Sequence, residues 1–398
     1  MTVEPITAEP TPPPPEPRRD EPMSAGTPGA TQAPAVAPNE EPRRLRVDLF
    51  KVIPLLKKIC QLRSFQFLVV FPNLVVFYFF LIAGVFGSPV GNRNIIIIFV
   101  WIFWWFLLIT FMVPFLSRIW CTVCPFPFFG DWLQRRALIR VRAGKTGGLR
   151  NRMFGLNRKW PRALSNIWLQ NIGFLCICTF SAMLLTRPIV SVLVLGGLFF
   201  LATVLALVYR QRSFCMYVCP VSGFQGLYAM TGMLALRSAD PEVCRTECKT
   251  KNCITGSENG WACPWFQYLG KMTRNNYCGL CMECVKSCPN DNVALFARRF
   301  ADDTQIKGYD ESWKAFIMLG LAVVYSVTLL GPWGTIKDWA NVAETGNWKG
   351  FLGYAGIVWF TCLAGIPLLW LGAAWLGRKL SGTDAVSTKD IFIRYSYV

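Results

Sequence analysis

Six stretches of this chain run apolar and uncharged for long enough to cross a bilayer, which takes about 20 residues of helix. They cover approximately 65–87, 94–116, 166–186, 188–209, 315–334 and 350–376. In lipid each backbone donor and acceptor must find its partner within the protein, so stretches of this length and composition are read as bundled helices. The third and fourth are parted only by Arg187-Pro188 and read as a tight hairpin. Composition agrees: 53% of residues are hydrophobic and only 16% charged, against about 25% charged in a soluble domain. The expected fold is mainly α, a polytopic membrane helix bundle of about six spans.

The loops give an orientation. Residues 117–165 hold eleven Lys/Arg and one acid, whereas 88–93 and 335–349 hold one and two Lys/Arg. Basic loops stay on the cytoplasmic side. An even number of spans then puts both termini inside, in a membrane of the bacterial cytoplasmic (inner) type. The net charge of +18 sits in these loops, so it follows from topology and gives no support to a nucleic-acid partner.

Sixteen cysteines and no histidine narrow the chemistry further. Without histidine there is no His-ligated haem, Rieske centre or copper site, and no catalytic His. Four of the cysteines form one run, Cys278-Gly-Leu-Cys281-Met-Glu-Cys284-Val-Lys-Ser-Cys288-Pro289. This C-x2-C-x2-C-x3-C-P spacing is that of a bacterial [4Fe–4S] ferredoxin loop, in which the fourth cysteine serves a second cluster. Zinc sites also use C-x2-C pairs, but as two separated pairs. Upstream, Cys244, Cys248, Cys253 and Cys263-Pro264 are spaced more loosely. With the ferredoxin crossover, Cys278, Cys281, Cys284 and Cys263 are assigned to one cluster. Cys244, Cys248, Cys253 and Cys288 are assigned to the other, whose stretched spacing leaves open a three-iron form or a shuffled ligand. Residues 240–300 thus read as a cytoplasmic two-cluster ferredoxin-like domain inserted between spans, after a four-span region 64–239 and before two spans in 313–376.

Two further pairs stand where spans leave the membrane. Cys121-Thr-Val-Cys124-Pro125 follows the second span, and Cys215-Met-Tyr-Val-Cys219-Pro220 follows the fourth. Each comes after an arginine, Arg118 or Arg212, and each is closed by a helix-ending proline. Converging thiolates beside guanidinium groups would have lowered pKa values and would bind soft metal. The alternative is a pair of structural helix stops with inert thiols. Cys60, Cys176, Cys178 and Cys362 read as small apolar residues.

Residues 1–42, rich in Pro, Glu, Ala and Thr, read as a disordered tail. Residues 43–63, with seven basic residues and one acid, read as a segment on the membrane surface. Tryptophans near span ends read as an interface belt. The tail 377–398 is placed inside. Its apolar end, Ile391–Val398, reads as the start of another segment.

The combination of Cys121–Pro125, Cys215–Pro220 and the ferredoxin run resembles the membrane-bound polyferredoxins (NosR- and NapH-like) associated with nitrous-oxide reductase maturation and periplasmic nitrate reductase. It is also similar to the oxidase-assembly polyferredoxins (CcoG/FixG-like). The resemblance covers about residues 64–300 and departs in the two-residue gap of the first membrane motif and in the stretched upstream cysteines. It implies a membrane electron-transfer subunit with two [4Fe–4S] clusters and a redox partner protein. A quinone or an added Cys-ligated centre would complete a path into the bilayer. Two alternatives stand beside it: a thiolate-based copper reductase in metalloenzyme assembly, or a structural membrane anchor.

Overall fold

The computed structural model describes residues 46–135, 155–257, 259–302, 304–328, 334–382 and 386–396. The tail 1–42 and residues 136–154 of the basic loop lie outside the described residues. The chain is mainly helical. In chain order the main helices are α1 (Phe65–Phe86), α2 (Ile97–Leu116), α3 (Trp168–Thr179), α4 (Pro188–Val208), α5 (Tyr309–Thr328) and α6 (Trp348–Ser381).

Among the described residues, four of these, α1, α2, α4 and α6, are long and apolar enough to cross a membrane. Between 17% and 28% of each is buried inside the protein. The rest of their apolar surface faces outward, as it does in helices that contact lipid. The other two apolar stretches fold differently. The third breaks at Phe180 into α3, of 12 residues, and the short helix Ser181–Thr186. Its first turn carries Gln170 and Asn171, both buried. The fifth, α5, is 20 residues long but opens on Asp310, Glu311 and Lys314. Glu311 and Lys314 are buried, so this end of α5 is enclosed by protein rather than by lipid, because polar groups inside a bundle need protein partners.

The bundle core joins Leu108 and Val113 of α2, Phe174 and Leu175 of α3, Ile317 and Leu321 of α5, and Tyr354, Val358 and Cys362 of α6. At Gly320 a Cβ would come within 2.8 Å of Cys362 Sγ, so the glycine lets α5 and α6 approach closely.

Three short strands frame the cysteine-rich segment: β1 (Val47–Asp48), β2 (Leu234–Ser238) and β3 (Val293–Ala297), in the order β1-β3-β2. Both pairings are antiparallel, and β2 runs from Leu234 opposite Ala297 to Ser238 opposite Val293. The β2–β3 pair ties together the two ends of the segment that holds eight cysteines. Beneath it lies a second core of Phe50, Cys60, Leu236, Leu280, Met282, Val285, Val293 and Leu295. Residues 46–63 of the basic segment therefore dock on this segment through β1, Phe50 and Cys60. Their opposite face leaves Val52, Leu55, Ile59 and Leu62 exposed, next to Lys51, Lys58 and Arg63, the composition of a membrane-surface helix.

Thr388–Arg394 is a short helix folded back onto the protein, with Phe392 and Ile393 packed against Leu227, Met230, Ile306 and Phe316. Its apolar character comes from this docking.

Candidate functional site

Twelve thiols fall into three groups of four, read from the electrostatic influence of each on its neighbours. Cys284 is held well above the usual thiol range by burial and then by Cys281, Cys278, Cys263 and Cys253. Cys253 is raised by burial and by Cys244, Cys248 and Cys288. The Cys-Pro cysteine of each motif thus lies with the other motif's thiols: Cys263 with Cys278, Cys281 and Cys284, and Cys288 with Cys244, Cys248 and Cys253. In the third group, burial raises Cys215, and Cys219, Cys124 and Cys121 raise it further. The ends of α2 and α4 therefore bring the two Cys-Pro pairs together.

The turns that carry these thiols are built alike. Lys251, Phe266, Leu280, Met282 and Asp291 all have positive φ, from 48° to 61°. Non-glycine residues rarely adopt this conformation, and such turns aim successive peptide N–H groups into one hollow. Here the hollows hold sulfur. The Gln267 N–H donates to Cys263 Sγ at 3.4 Å, and the Asn292 N–H donates to Cys288 Sγ at 3.3 Å. Asn292 Nδ2 donates to Cys244 Sγ at 3.4 Å. Backbone N–H groups of Leu280 and Glu283 serve Cys278 and Cys281. N–H groups aimed at sulfur favour the thiolate over the thiol.

At the membrane edge, Cys219 stands at the N-cap of the helix Pro220–Tyr228 without a side-chain capping hydrogen bond, and the nearby backbone N–H groups of Ser222 and Val221 offset part of the rise in its pKa. Cys121 Sγ donates to Gln225 Oε1 at 3.1 Å. Gln170 Nε2 donates to the carbonyls of Cys215 and Met216, at 3.2 and 2.9 Å. Arg212 donates to Asp131 Oδ2 through Nε and Nη2, at 3.0 and 2.6 Å. Arg118 donates to Ser222 Oγ at 2.5 Å and to the Asn276 carbonyl, with its guanidinium 4.4 Å from the centroid of Trp265.

The expectation of lowered pKa values at this site is corrected. Burial pushes Cys219 up to about 11 and raises Cys124 and Cys215, and the arginines offset only part of this. One reason is that Arg212 is already neutralised by Asp131. In the absence of a bound cation, the buried thiols stay protonated, and loading metal must displace their protons.

This third group adjoins the central one. Thr122 Oγ1 donates to the Leu280 carbonyl at 2.9 Å, and Gln66 Nε2 donates to the Cys281 carbonyl at 3.0 Å. Cys121 acts on the Cys278 thiol, as Arg212 does on Cys281.

Two observations bear on what these thiols could hold. Among the described residues, no three Cys, Asp or Glu side chains gather closely enough to share a single metal ion. Second, buried N–H donors lack acceptors around the groups: Trp265 Nε1, Gln225 Nε2 and Arg118 Nε. Unpartnered buried donors are costly. An iron–sulfur cluster offers sulfide and thiolate acceptors of the kind they lack.

The sequence analysis picked out the cysteines and the two arginines but not their supports Gln66, Asp131, Gln170, Gln225, Trp265 and Lys314. A signal was present for three of them: Gln66, Gln170 and Lys314 are polar residues in or beside apolar stretches, which mark functional positions in membrane helices.

A family model described as a 4Fe-4S binding domain matches residues 97–146 and 192–236. Those residues hold Cys121, Cys124, Cys215 and Cys219, and not the run Cys278–Pro289. The match supports an iron–sulfur protein, and the four long apolar helices support a membrane protein. No curated protein and no solved structure matches the chain.

Proposed function

We propose that this chain is a membrane-bound iron–sulfur electron-transfer protein, working between a cytoplasmic-face ferredoxin-like segment and a redox centre in the membrane or in a partner protein. The observation that carries the reading is the serial arrangement of the three thiol groups. The outer group (Cys244, Cys248, Cys253, Cys288) is linked to the central group (Cys263, Cys278, Cys281, Cys284) by Cys253 and Cys284. The central group is linked to the membrane-edge group (Cys121, Cys124, Cys215, Cys219) by Cys278 and Cys121. The first two groups are the proposed ligands of two [4Fe–4S] clusters, and the third of a further iron–sulfur centre. When bound, such clusters supply one-electron exchange with no bond made or broken.

The chain's own residues have defined parts in this. The left-handed turns hold N–H groups on the sulfurs and stabilise thiolates. Thr122, Gln66 and Arg118 lock the membrane-edge turn against the central loop, which holds the two sites at a fixed separation. Trp265 and the second core keep water from the central group. The family match at the membrane-edge pairs favours iron–sulfur chemistry there over copper handling. Among the polyferredoxins that the sequence resembles, the closest role is that of an electron-transfer subunit of the NosR- and NapH-like kind, with a quinone or partner subunit as the exchange partner.

The test is iron and acid-labile sulfide per chain on anaerobically purified protein, with EPR during stepwise reduction. The expected count is about twelve irons for three four-iron centres, falling by about four in Cys121→Ser/Cys219→Ser. A count of about eight, unchanged in that variant, would remove the third centre. A chain with no iron would end the reading.

A further inference from the structure

The membrane-edge group lies in a pocket with unbalanced positive charge. Lys314 of α5 is fully buried. Its Nζ donates to the Gln170 carbonyl at 3.4 Å and lies 4.6 Å from the centroid of the Phe174 ring. Arg118 is also buried, and its partners are a carbonyl, a hydroxyl and an indole face. Among the described residues, neither cation has a carboxylate partner in its hydrogen bonds. Arg212, the third cation at this site, is neutralised by Asp131. A charge held in the interior without a counter-charge is strongly disfavoured. Burial lowers Lys314 to about 7, so it is fully charged only beside an anion.

The position of Lys314 indicates where that anion belongs. Its Cε lies 3.1 Å from where a Cβ on Gly223 would stand, in the first turns of the helix at whose N-cap Cys219 stands. The residue whose carbonyl takes its proton, Gln170, also bonds the backbone at Cys215 and Met216. Through Gln170 and Gly223 the Lys314 side chain adjoins the second Cys-Pro pair, and it acts electrostatically with Cys178 first and then with Cys219. Beside the first pair, Gln225 is fully buried and its amide Nε2 has no acceptor.

We propose that Lys314, with the Gln225 amide, is the counter-charge that raises the reduction potential of the centre at Cys121, Cys124, Cys215 and Cys219. The inference rests on reading that site as an iron–sulfur centre. Reduction adds one electron and one negative charge to the centre. A fixed cation stabilises the reduced form more than the oxidised form, and does so most in a poorly screened interior. An N–H aimed at sulfur acts in the same direction. Beside Cys244 of the outer group the charged pair Glu242 with Arg245 is exposed, whereas at the central group Arg237 and Arg118 act on Cys278. Lys314 and Gln225 are positioning residues, since they act on the centre without ligating it.

The test is an anaerobic dithionite titration of the full-length protein in detergent, followed by EPR together with iron counts. Dithionite supplies one electron per centre. The variants are Lys314→Met, Lys314→Arg and Gln225→Leu, with Cys121→Ser to assign the membrane-edge signal. In the wild type the signal lost in Cys121→Ser identifies the membrane-edge centre. Lys314→Met and Gln225→Leu should keep their iron and move the midpoint of that centre alone to lower potential, while Lys314→Arg, which retains the charge, leaves it in place. If Lys314→Met does not accumulate, Gln225→Leu decides by the same readout. An unshifted midpoint with iron retained overturns the proposal and leaves the iron–sulfur reading standing. A wild type with about eight irons overturns both.

Discussion

Gly279, between Cys278 and Leu280, has no room for a side chain: a Cβ there would lie 2.2 Å from Trp265 Nε1. The clash is with a buried indole, which has nowhere to move. Gly279→Ala is expected to cost about 1–3 kcal/mol, the range for overpacking a filled interior, read as a lower midpoint in thermal unfolding. Wild-type stability would show that Trp265 is not fixed against the loop. The Arg212–Asp131 pair makes a second residue-scale case. Both side chains are buried, so Asp131→Asn leaves a guanidinium uncompensated beside the membrane-edge thiols, at a cost of about 3–5 kcal/mol. Replacing both partners with apolar residues should recover much of that loss. A third case concerns pH. In the cluster-free chain, burial first and then Glu283 raise Cys281 from the ordinary 9.0 to about 11. A thiol raised on folding stabilises the chain fully below its unfolded pKa, and this contribution is lost as pH climbs through the folded value. Cluster-free protein is therefore expected to lose stability between about pH 9 and 11. Cys281→Ser should flatten that part of the curve. A curve that rises across the same window would refute the assigned direction.

At the scale of elements, two terminal pieces hold the peripheral structure in place. β1 adds a third strand to the sheet, and Phe50 behind it is buried against the core under the cysteine turns. Phe50→Ala is expected to cost about 3–5 kcal/mol. Because that core contains Leu280 and Met282, iron should be lost first from the ferredoxin-like segment while the membrane helices remain folded. Uniform loss of helix by circular dichroism would show instead that the two cores melt as one. The short helix Thr388–Arg394 is held by Phe392, whose ring stacks within 5.2–6.2 Å of Tyr309, Trp313 and Phe316. The apolar run at 391–393 therefore had two meanings, a new span or a docked end, and only the aromatic groups waiting on α5 separate them.

For the whole molecule, orientation is the property to test. Reporter fusions after Gly334 are expected to lie outside, and fusions after Lys379 inside; the reverse pattern would invert the side assigned to every cysteine group. Much of this was legible in the chain itself. Unbroken apolar stretches identify membrane helices because lipid leaves the backbone no other partner. Cysteine spacing suggests iron–sulfur chemistry because a loop of ten or so residues sets its own geometry, and the family match supports an iron–sulfur protein. The tertiary structure decided what depends on distant partners. It showed that α3 breaks and that α5 opens inside protein, because Gln170, Asn171, Glu311 and Lys314 find buried partners there. It brought the ends of α2 and α4 together and placed their thiols beside the central loop, through Thr122 and Gln66, contacts that span more than 150 residues of chain. It also reversed the expected effect of the arginines, since whether a guanidinium lowers a thiol's pKa depends on burial and on what else that guanidinium already holds, and neither can be read from the neighbouring residues.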